Sequence, residues 1–181
     1  GAALAEKLGG EAIAFVVGEL SESSQREAGQ AGADKILQAQ DEKLQEVLPE
    51  PYTRALQQAM EQVGAQGLVF SKSSTSDAVG PRLAARSGAA AVSEVVELPD
   101  TSNGFQVKRS IFSGKAFETA KINADKYVLT LKKNAYGVKE HGKSASIEAF
   151  SPQFEDQDFR VKITNTEKTT GQILLPEAEM V

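Results

Sequence analysis

Hydroxyl and carboxyl side chains cluster between Ser73 and Asp77, and no other part of the sequence is better suited to chemistry. The cluster follows an apolar run over residues 67–71, which has the pattern of a buried parallel strand. Its side-chain oxygens can accept hydrogen bonds from the free N–H groups of a helix start, although the sequence does not show which hydroxyl is the cap. A helix start at the carboxyl end of a parallel strand can also hold an anion. Two hypotheses therefore stand, ordinary capping and a nucleotide phosphate site.

The residues after this cluster predict one helix and one further strand. Pro81 is predicted to lie in the first turn of the helix, because proline has no N–H group to leave unpaired there. Gly88 is placed to end the helix in a left-handed conformation, and residues 91–98 are predicted to form the next strand. Glu94 and Glu97 lie three apart on that strand and should face opposite sides, so they cannot act as a paired acid and base.

The segment before the cluster alternates predicted helices and strands. Such alternation indicates a parallel sheet with right-handed crossovers. Glycines are placed to end the helices. The predicted elements are a helix over residues 2–8, a strand over 12–17, a helix from Ser21 through Ala28, a strand over 35–39 and a helix over 52–63.

After residue 98 the sequence favours strands joined by short glycine or polar turns. Residues 104–112, 115–122 and 126–131 are predicted as antiparallel strands or as a strand added to the sheet edge. Residues 146–150 and 159–164 are predicted as two more strands, the second with one buried face because its apolar residues alternate with polar ones. The predicted fold class is α/β, a three-layer α/β/α arrangement with a mainly parallel, Rossmann-like sheet and a small antiparallel strand group.

Three sequence blocks resemble one known family, and they occur in the same order as in that family. The first runs from Ser73 to Leu98 and contains Asp77, Pro81-Arg82-Leu83-Ala84-Ala85 and Val92-Ser93-Glu94-Val95. The other two are Lys108-Arg109-Ser110-Ile111-Phe112-Ser113-Gly114-Lys115-Ala116 and Tyr127-Val128-Leu129-Thr130-Leu131-Lys132-Lys133-Asn134-Ala135-Tyr136. From about Gly1 to about Leu131 the chain resembles the amino-terminal domain of the electron transfer flavoprotein alpha subunit. It departs from the family where Lys132-Lys133-Asn134 stands in place of the usual Arg-Pro-Thr.

The resemblance implies an electron carrier subunit rather than an enzyme. It implies docking to an electron transfer flavoprotein beta subunit, with acyl-CoA or other flavin dehydrogenases as electron donors, as in fatty acid beta-oxidation. The family holds FAD mainly in the carboxyl-terminal domain of the alpha subunit, so none is expected on this fragment. No catalytic, cofactor-binding or metal residue is assigned. The implied compartment is the bacterial cytoplasm or, in a eukaryote, the mitochondrial matrix.

A length of 181 residues allows a single α/β domain over residues 1–181, with a possible irregular extension over 133–181. Because an α/β domain normally opens with a strand, an edge or central strand is expected upstream of Gly1. The segment from Ile173 to Val181 lacks a closing motif, so the flavin-binding domain is expected to follow it. Both expectations describe a fragment of a longer protein.

Composition and motifs weigh against several other functions. A formal charge of −5 disfavours nucleic acid as a partner, and no apolar run is long enough to suggest membrane insertion. The absence of cysteine removes thiolate chemistry and suits a reducing compartment. The sequence lacks the usual glycine-rich nucleotide loops. A small hydrolase or transferase is a third hypothesis, weakened because no nucleophile and histidine pair is evident.

The remaining charged clusters are interpreted as surface features. The single histidine, His141, lies among Lys132, Lys133, Lys139 and Lys143, which are predicted to form a solvated loop, and it is given no role. The carboxylates of residues 155–158 lack the glycine and the distal glutamate of a calcium loop and are predicted to form a solvated turn.

Overall fold

A computed structural model describes residues 1–137 and 139–167 of the chain. The helices are α1 (Ala2–Leu8), α2 (Glu22–Gln30), α3 (Pro49–Val63) and α4 (Ser74–Ser87). The strands are β1 (Ile13–Val17), β2 (Lys35–Ala39), β3 (Gly67–Ser71), β4 (Ala90–Val95), β5 (Phe105–Ile111), β6 (Ala116–Ile122), β7 (Tyr127–Leu131) and β8 (Ser146–Phe150). Short 3-10 helices cover Glu42–Leu44, Phe112–Gly114 and Asp156–Phe159.

The strands form two hydrogen-bonded sheets. The first has the order β1-β2-β8 and is parallel throughout. The second has the order β3-β7-β4-β5-β6, in which β7 runs parallel to both β3 and β4 while β5 and β6 form an antiparallel hairpin. Within the segment predicted as a possible irregular extension, β8 is therefore part of a sheet.

The position of β7 corrects a prediction. Residues 126–131 were expected to add an antiparallel strand or to lie at a sheet edge, but β7 is parallel and central. Tyr127, Val128, Leu129 and Thr130 are all buried, because helices cover both faces of the sheet at this point. A strand that is apolar on both faces is typical of the centre of a parallel sheet.

Helices cover both faces, which confirms the predicted three-layer arrangement. In the first sheet, Leu37 packs with the α3 residues Ala55 and Ala59, while its neighbour Ile36 points to the other face and packs with Ala28 of α2. The second sheet shows the same alternation. Val128 packs with α4, and the next residue, Leu129, packs in the cluster that contains Leu4 of α1. Thus α1 and α2 lie on one face, and α3 and α4 lie on the other.

Three predicted helix ends are confirmed. Gly9, Gly64 and Gly88 follow α1, α3 and α4 with φ values of 70°, 65° and 65°. Glycine adopts this left-handed conformation without a Cβ clash, and its N–H group bonds back to the helix. The start of α3 lies earlier than predicted, at Pro49 rather than Tyr52, since proline is well suited to the first helical position.

Pro81 lies inside α4 and not in its first turn, so that prediction is wrong. The helix begins directly after Ser73, which places Pro81 in the interior, where its missing N–H group leaves the carbonyl of Asp77 without the usual helical partner. Gly80 precedes it and has no Cβ to meet the proline ring, which relieves one of the clashes that normally exclude proline.

Residues 159–164 do not form the predicted strand. Phe159 ends a 3-10 helix and packs edge-on against Phe154 at a centroid distance of 5.4 Å. The residues after it have no regular structure, and Val161 and Ile163 are exposed. Alternating polarity therefore was not sufficient here, because the local capping interactions of Asp158 favour a helical turn at the start of the segment. The apolar segment from Ile173 to Val181 lies outside the described residues.

The close approach of Tyr127 to Gly67 provides a test of the second sheet. The Tyr127 ring stacks on Phe105 and lies where a Cβ on Gly67 would stand. We expect Gly67→Ala to lower the free energy of unfolding by about 1–3 kcal/mol, since the ring must move. Gly10→Ala is the control, because no atom lies within 4 Å of its added Cβ, and it should change stability by less than about 0.5 kcal/mol. Equal urea midpoints for both variants would contradict the described packing.

Candidate functional site

The hydroxyl cluster forms a reciprocal cap at the start of α4. The Ser73 hydroxyl accepts a hydrogen bond from the Ser76 N–H group at 3.1 Å, and the Ser76 hydroxyl accepts one from the Ser73 N–H group at 2.9 Å. The Ser76 hydroxyl also donates to the Ser73 carbonyl at 2.9 Å, and Ser76 is only 2% exposed. The structure thus identifies the capping residue that the sequence left open, and it commits both hydroxyls to the backbone.

Two other hydroxyl residues of the cluster remain beside a pocket. Ser74 and Thr75 line a cavity of about 210 Å3 that opens between the start of α4 and the start of α3. The rest of its lining is apolar and consists of Val47, Pro49, Ala78 and Val79. A helix start directs N–H groups outwards, so the phosphate hypothesis keeps a physical basis at these two residues.

Lys72 carries the positive charge nearest to this cluster. Its ammonium group lies 2.9 Å from a carboxylate oxygen of Asp77 and 3.1 Å from one of Glu94. The hydrogen bonds to these two carboxylates raise the pKa of Lys72 above its usual value. One ammonium between two carboxylates leaves the group with a net negative charge, so a phosphate would have to compete with Asp77 and Glu94 for the lysine.

A backbone irregularity places Glu94 in this group. Its φ is +60°, a left-handed value that is uncommon for glutamate, and the register of β4 against β7 shifts between Val92 and Val95. The predicted strand over residues 91–98 therefore ends early, at Val95. Glu97 lies beyond the strand, 3.4 Å from the Lys108 ammonium group, so the two glutamates are held by different lysines.

The basic loop is attached to the end of α2 and to the turn before β2 by specific contacts. The Lys143 ammonium group lies 2.6 Å from a carboxylate oxygen of Asp34. The backbone N–H group of His141 donates to the Gln30 carbonyl at 2.7 Å. The His141 ring also packs against Gly32, where an added Cβ would overlap it. The hydrogen bond from Lys143 is the main cause that lowers the pKa of the Asp34 carboxyl group, and the hydrogen bond from the Ala12 N–H group is the second. These residues position β8 beside β2.

The acidic segment over residues 155–158 is less solvated than predicted. Asp158 is 3% exposed and accepts a hydrogen bond from the Glu155 N–H group at 2.9 Å. Arg54 of α3 lies 2.6 Å from Glu155 and 3.9 Å from Asp158. Burial of one carboxylate beside an arginine indicates a structural role, in which the segment is fastened to α3.

Residues 1–137 and 139–167 contain neither a metal-binding cluster nor a membrane-spanning helix. Within these residues, histidine, aspartate and glutamate side chains do not gather in the groups of three or more that could bind a metal ion. The same residues include no helix with the length and apolar character needed to cross a membrane.

Sequence reasoning located the cluster but missed its electrostatic partner. Lys72 adjoins the cluster in sequence, yet Glu94 reaches it from another strand, and no local pattern connects the two. The pocket was missed for the same reason, because Val47 lies before α3 and Pro49 is the first residue of α3, both distant in sequence from Ser74.

The phosphate hypothesis is tested by titrating the protein with ADP in a calorimeter. Because Lys72 is already paired, we expect no saturable binding tighter than about 1 mM. Micromolar binding that is lost in Ser74→Ala/Thr75→Ala would contradict this expectation and support a phosphate site. Thr119→Ala is the matched control on the exposed face of β6. Ser73 and Ser76 are left unchanged, since removing a cap costs about 1 kcal/mol of stability by itself.

Comparison with known proteins shows which family this chain resembles. The family described as "Electron transfer flavoprotein domain" matches residues 1–154. The chain is 30% identical over 176 residues to electron transfer flavoprotein subunit alpha of Bacillus subtilis, covering 95% of this chain and 53% of that protein. It is 27% identical over 145 residues to a probable mitochondrial electron transfer flavoprotein subunit alpha of Caenorhabditis elegans, covering 80% and 43%. The chain spans about half the length of the curated relatives it matches.

Proposed function

The chain belongs to the electron transfer flavoprotein family, and on that premise we propose that it is the amino-terminal scaffold and subunit-docking domain of an alpha subunit. The observation that carries the proposal is the family match, which extends over every α-helix and strand described above. In this role the domain is not a catalyst. It supports electron transfer from acyl-CoA or other flavin dehydrogenases to a downstream acceptor, in the cytoplasm of a bacterium or the mitochondrial matrix of a eukaryote.

The state of the ionisable groups supports a scaffold role. Lys72 is paired with two carboxylates, Arg54 with the acidic segment and Lys143 with Asp34. General acid or base catalysis needs a group that can exchange a proton with a substrate near the working pH. Charged groups that are already paired within the fold stabilise its structure and are not free to exchange a proton with a substrate.

The size of the described pockets bears on where FAD binds in the whole protein. Pockets that hold cofactors usually measure about 300–1,000 Å3. The pocket beside Ser74 is about 210 Å3, and a second one beneath α1 is about 40 Å3. These two sites do not fit a flavin dinucleotide, which supports the proposal that FAD is bound mainly by the carboxyl-terminal domain of the alpha subunit.

The flavin assignment is tested by purifying this chain and the whole alpha subunit with its beta subunit. We expect the complex to be yellow and this chain to show no flavin absorption after incubation with FAD. Stoichiometric FAD bound to the 181-residue chain would overturn the scaffold proposal.

An exposed apolar surface supports the docking role. The hairpin of β5 and β6 carries two exposed aromatic side chains, Phe112 at 76% and Phe117 at 59%. The Lys108 ammonium group lies 5.3 Å from the centroid of the Phe117 ring, and β6 is an edge strand. Exposed aromatic residues on a hairpin at the edge of a sheet are typical of a surface that a partner covers. We propose that the beta subunit docks on this hairpin.

Docking is tested by replacing the two aromatic residues in the whole alpha subunit. We expect Phe112→Ser/Phe117→Ser to weaken binding of the beta subunit by about 10- to 100-fold, since buried aromatic residues dominate interface energies. Val161→Ser is the control, because Val161 is also exposed but lies far along the chain from the hairpin. Equal affinities for both variants, measured by calorimetry, would place the interface elsewhere.

A nucleotide-binding α/β module that uses the turn between Ser73 and Asp77 is the second candidate function. The pocket beside Ser74 and Thr75 favours it, and the two carboxylates around Lys72 weigh against it. The ADP titration separates this candidate from the scaffold role.

A further inference from the structure

The loop before β5 contains Asn103, which is followed by a glycine. The sequence has three other asparagines, Asn123, Asn134 and Asn165, which are followed by alanine, alanine and threonine. All four asparagines are exposed, so access to water does not distinguish them. Gly104 does, because a residue without a Cβ leaves its backbone nitrogen open to the side chain before it. Asparagine is a thermolabile residue, and this neighbour makes Asn103 the most reactive of the four.

The loop is closed at its base and open at its tip. Asp100 and Gln106 exchange two backbone hydrogen bonds of 2.8 Å, which close the loop. At the tip, Gly104 has a φ of +84°, a left-handed value that favours glycine. The backbone carbonyl of Asn103 accepts a hydrogen bond from the Gln106 side chain at 3.0 Å. Among the described residues, the side-chain amide of Asn103 has no hydrogen-bond partner, so it can rotate towards the next peptide group.

Lys121 of β6 places a positive charge beside Gly104. The antiparallel pairing sets Lys121 opposite Gln106, two residues after this glycine. A Cβ on Gly104 would stand 2.7 Å from Lys121 Cε and 3.2 Å from its Nζ. In the part of the chain that the structure describes, the ion pairs of the hairpin use Lys108 and Arg109 and leave Lys121 unpaired. Its ammonium group can therefore stabilise negative charge that develops on the adjacent peptide group.

We propose that Asn103 is a site of spontaneous modification, at which it is converted to aspartate and isoaspartate through a cyclic imide, and that Lys121 accelerates the conversion. The Gly104 nitrogen loses its proton to solvent base and forms a bond to Cγ of Asn103. The bond from Cγ to Nδ2 breaks, and the amide nitrogen takes a proton from water and leaves as ammonia. Negative charge develops first on the Gly104 nitrogen and then on the oxygen bound to Cγ, which is the charge that the ammonium group stabilises.

Hydrolysis of the imide gives two products. Water that adds at Cγ breaks the new bond from Cγ to nitrogen and gives aspartate. Water that adds at the backbone carbonyl carbon breaks the original peptide bond and gives isoaspartate, in which the main chain runs through Cγ. Neither step needs a reactant other than water and solvent base.

The products would change the base of the β5 and β6 hairpin. Isoaspartate adds one carbon atom to the main chain of the loop and displaces the residue-103 carbonyl that holds Gln106. Both products add one negative charge beside Lys121, where it can form an ion pair. The modification therefore alters the loop that joins Asp100 to the start of β5.

Ageing the folded chain at mildly alkaline pH tests the proposal and does not depend on the electron transfer role. Peptide mass mapping that separates aspartate from isoaspartate measures the conversion at each asparagine. We expect Asn103 to convert about tenfold faster, or more, than Asn123, Asn134 or Asn165, since glycine and the nearby charge both lower the barrier. The rate should rise with pH, because the Gly104 nitrogen must lose a proton before it attacks.

Replacing Lys121 tests the contribution of the fold. We expect Lys121→Gln to slow the conversion of Asn103 about fivefold in the folded chain, the effect of one unit charge at about 4 Å in water. Lys121→Arg keeps the charge and should keep the original rate. In urea, where the hairpin is unfolded, Lys121→Gln should have no effect. Lys115→Gln is the matched control, because Lys115 is exposed at the opposite end of the hairpin.

Two results would overturn the proposal. Conversion at Asn103 that is no faster than at Asn123 would show that the glycine does not create a reactive site. Equal rates for Lys121→Gln and Lys115→Gln in the folded chain would show that the ammonium group beside Gly104 has no part in the reaction.

Discussion

The packing of α3 across both sheets is the interaction on which the rest of the structure depends. Ala55 and Ala59 pack against the β1-β2-β8 sheet, whereas Leu56 and Met60 pack with α4 and the β3-β7 part of the second sheet. Since no strand pairing joins the sheets in the described residues, this one helix aligns them. Truncating a buried leucine or methionine to alanine typically costs 2–5 kcal/mol, about the size of a marginal protein's whole stability.

The position of α3 also determines the geometry of the pocket beside Ser74. The cavity beside Ser74 lies where the loop entering α3 meets the start of α4, and Arg82 of α4 reaches Glu50 of α3 at 3.2 Å. A shift of one helix would open or close this pocket. The same helices hold Lys72 and Asp77 near the end of β4, so the charges at this edge of the sheet are fixed by tertiary packing rather than by neighbouring sequence.

Local signals explain which elements the sequence could predict. Helix ends at Gly9, Gly64 and Gly88 depend only on glycine's left-handed conformation, and the strand over residues 35–39 depends on a short apolar run between polar neighbours. The order of strands depends on pairing between distant segments. Nothing local distinguishes the apolar run of β7 as central rather than peripheral.

The same distinction applies to the candidate site. A cap within residues 73–77 was predictable because five suitable side chains stand in a row at a helix start. Its identity was not, since any of several hydroxyls fits the pattern until the backbone conformation of Ser73 is known. The ion pair from Lys72 to Glu94 needed the left-handed backbone of Glu94, which the sequence gives no reason to expect.

The pairing of β8 with β2 has a consequence for biosynthesis. Lys35 is opposite Ser146, a separation of 111 residues (146 − 35). At about 5–20 residues per second, a ribosome needs roughly 6–22 s to make the intervening chain. Throughout that interval one flank of β2 is bare and can recruit other nascent polypeptides, so the yield of native protein should depend on chaperone supply and growth temperature more than on equilibrium stability.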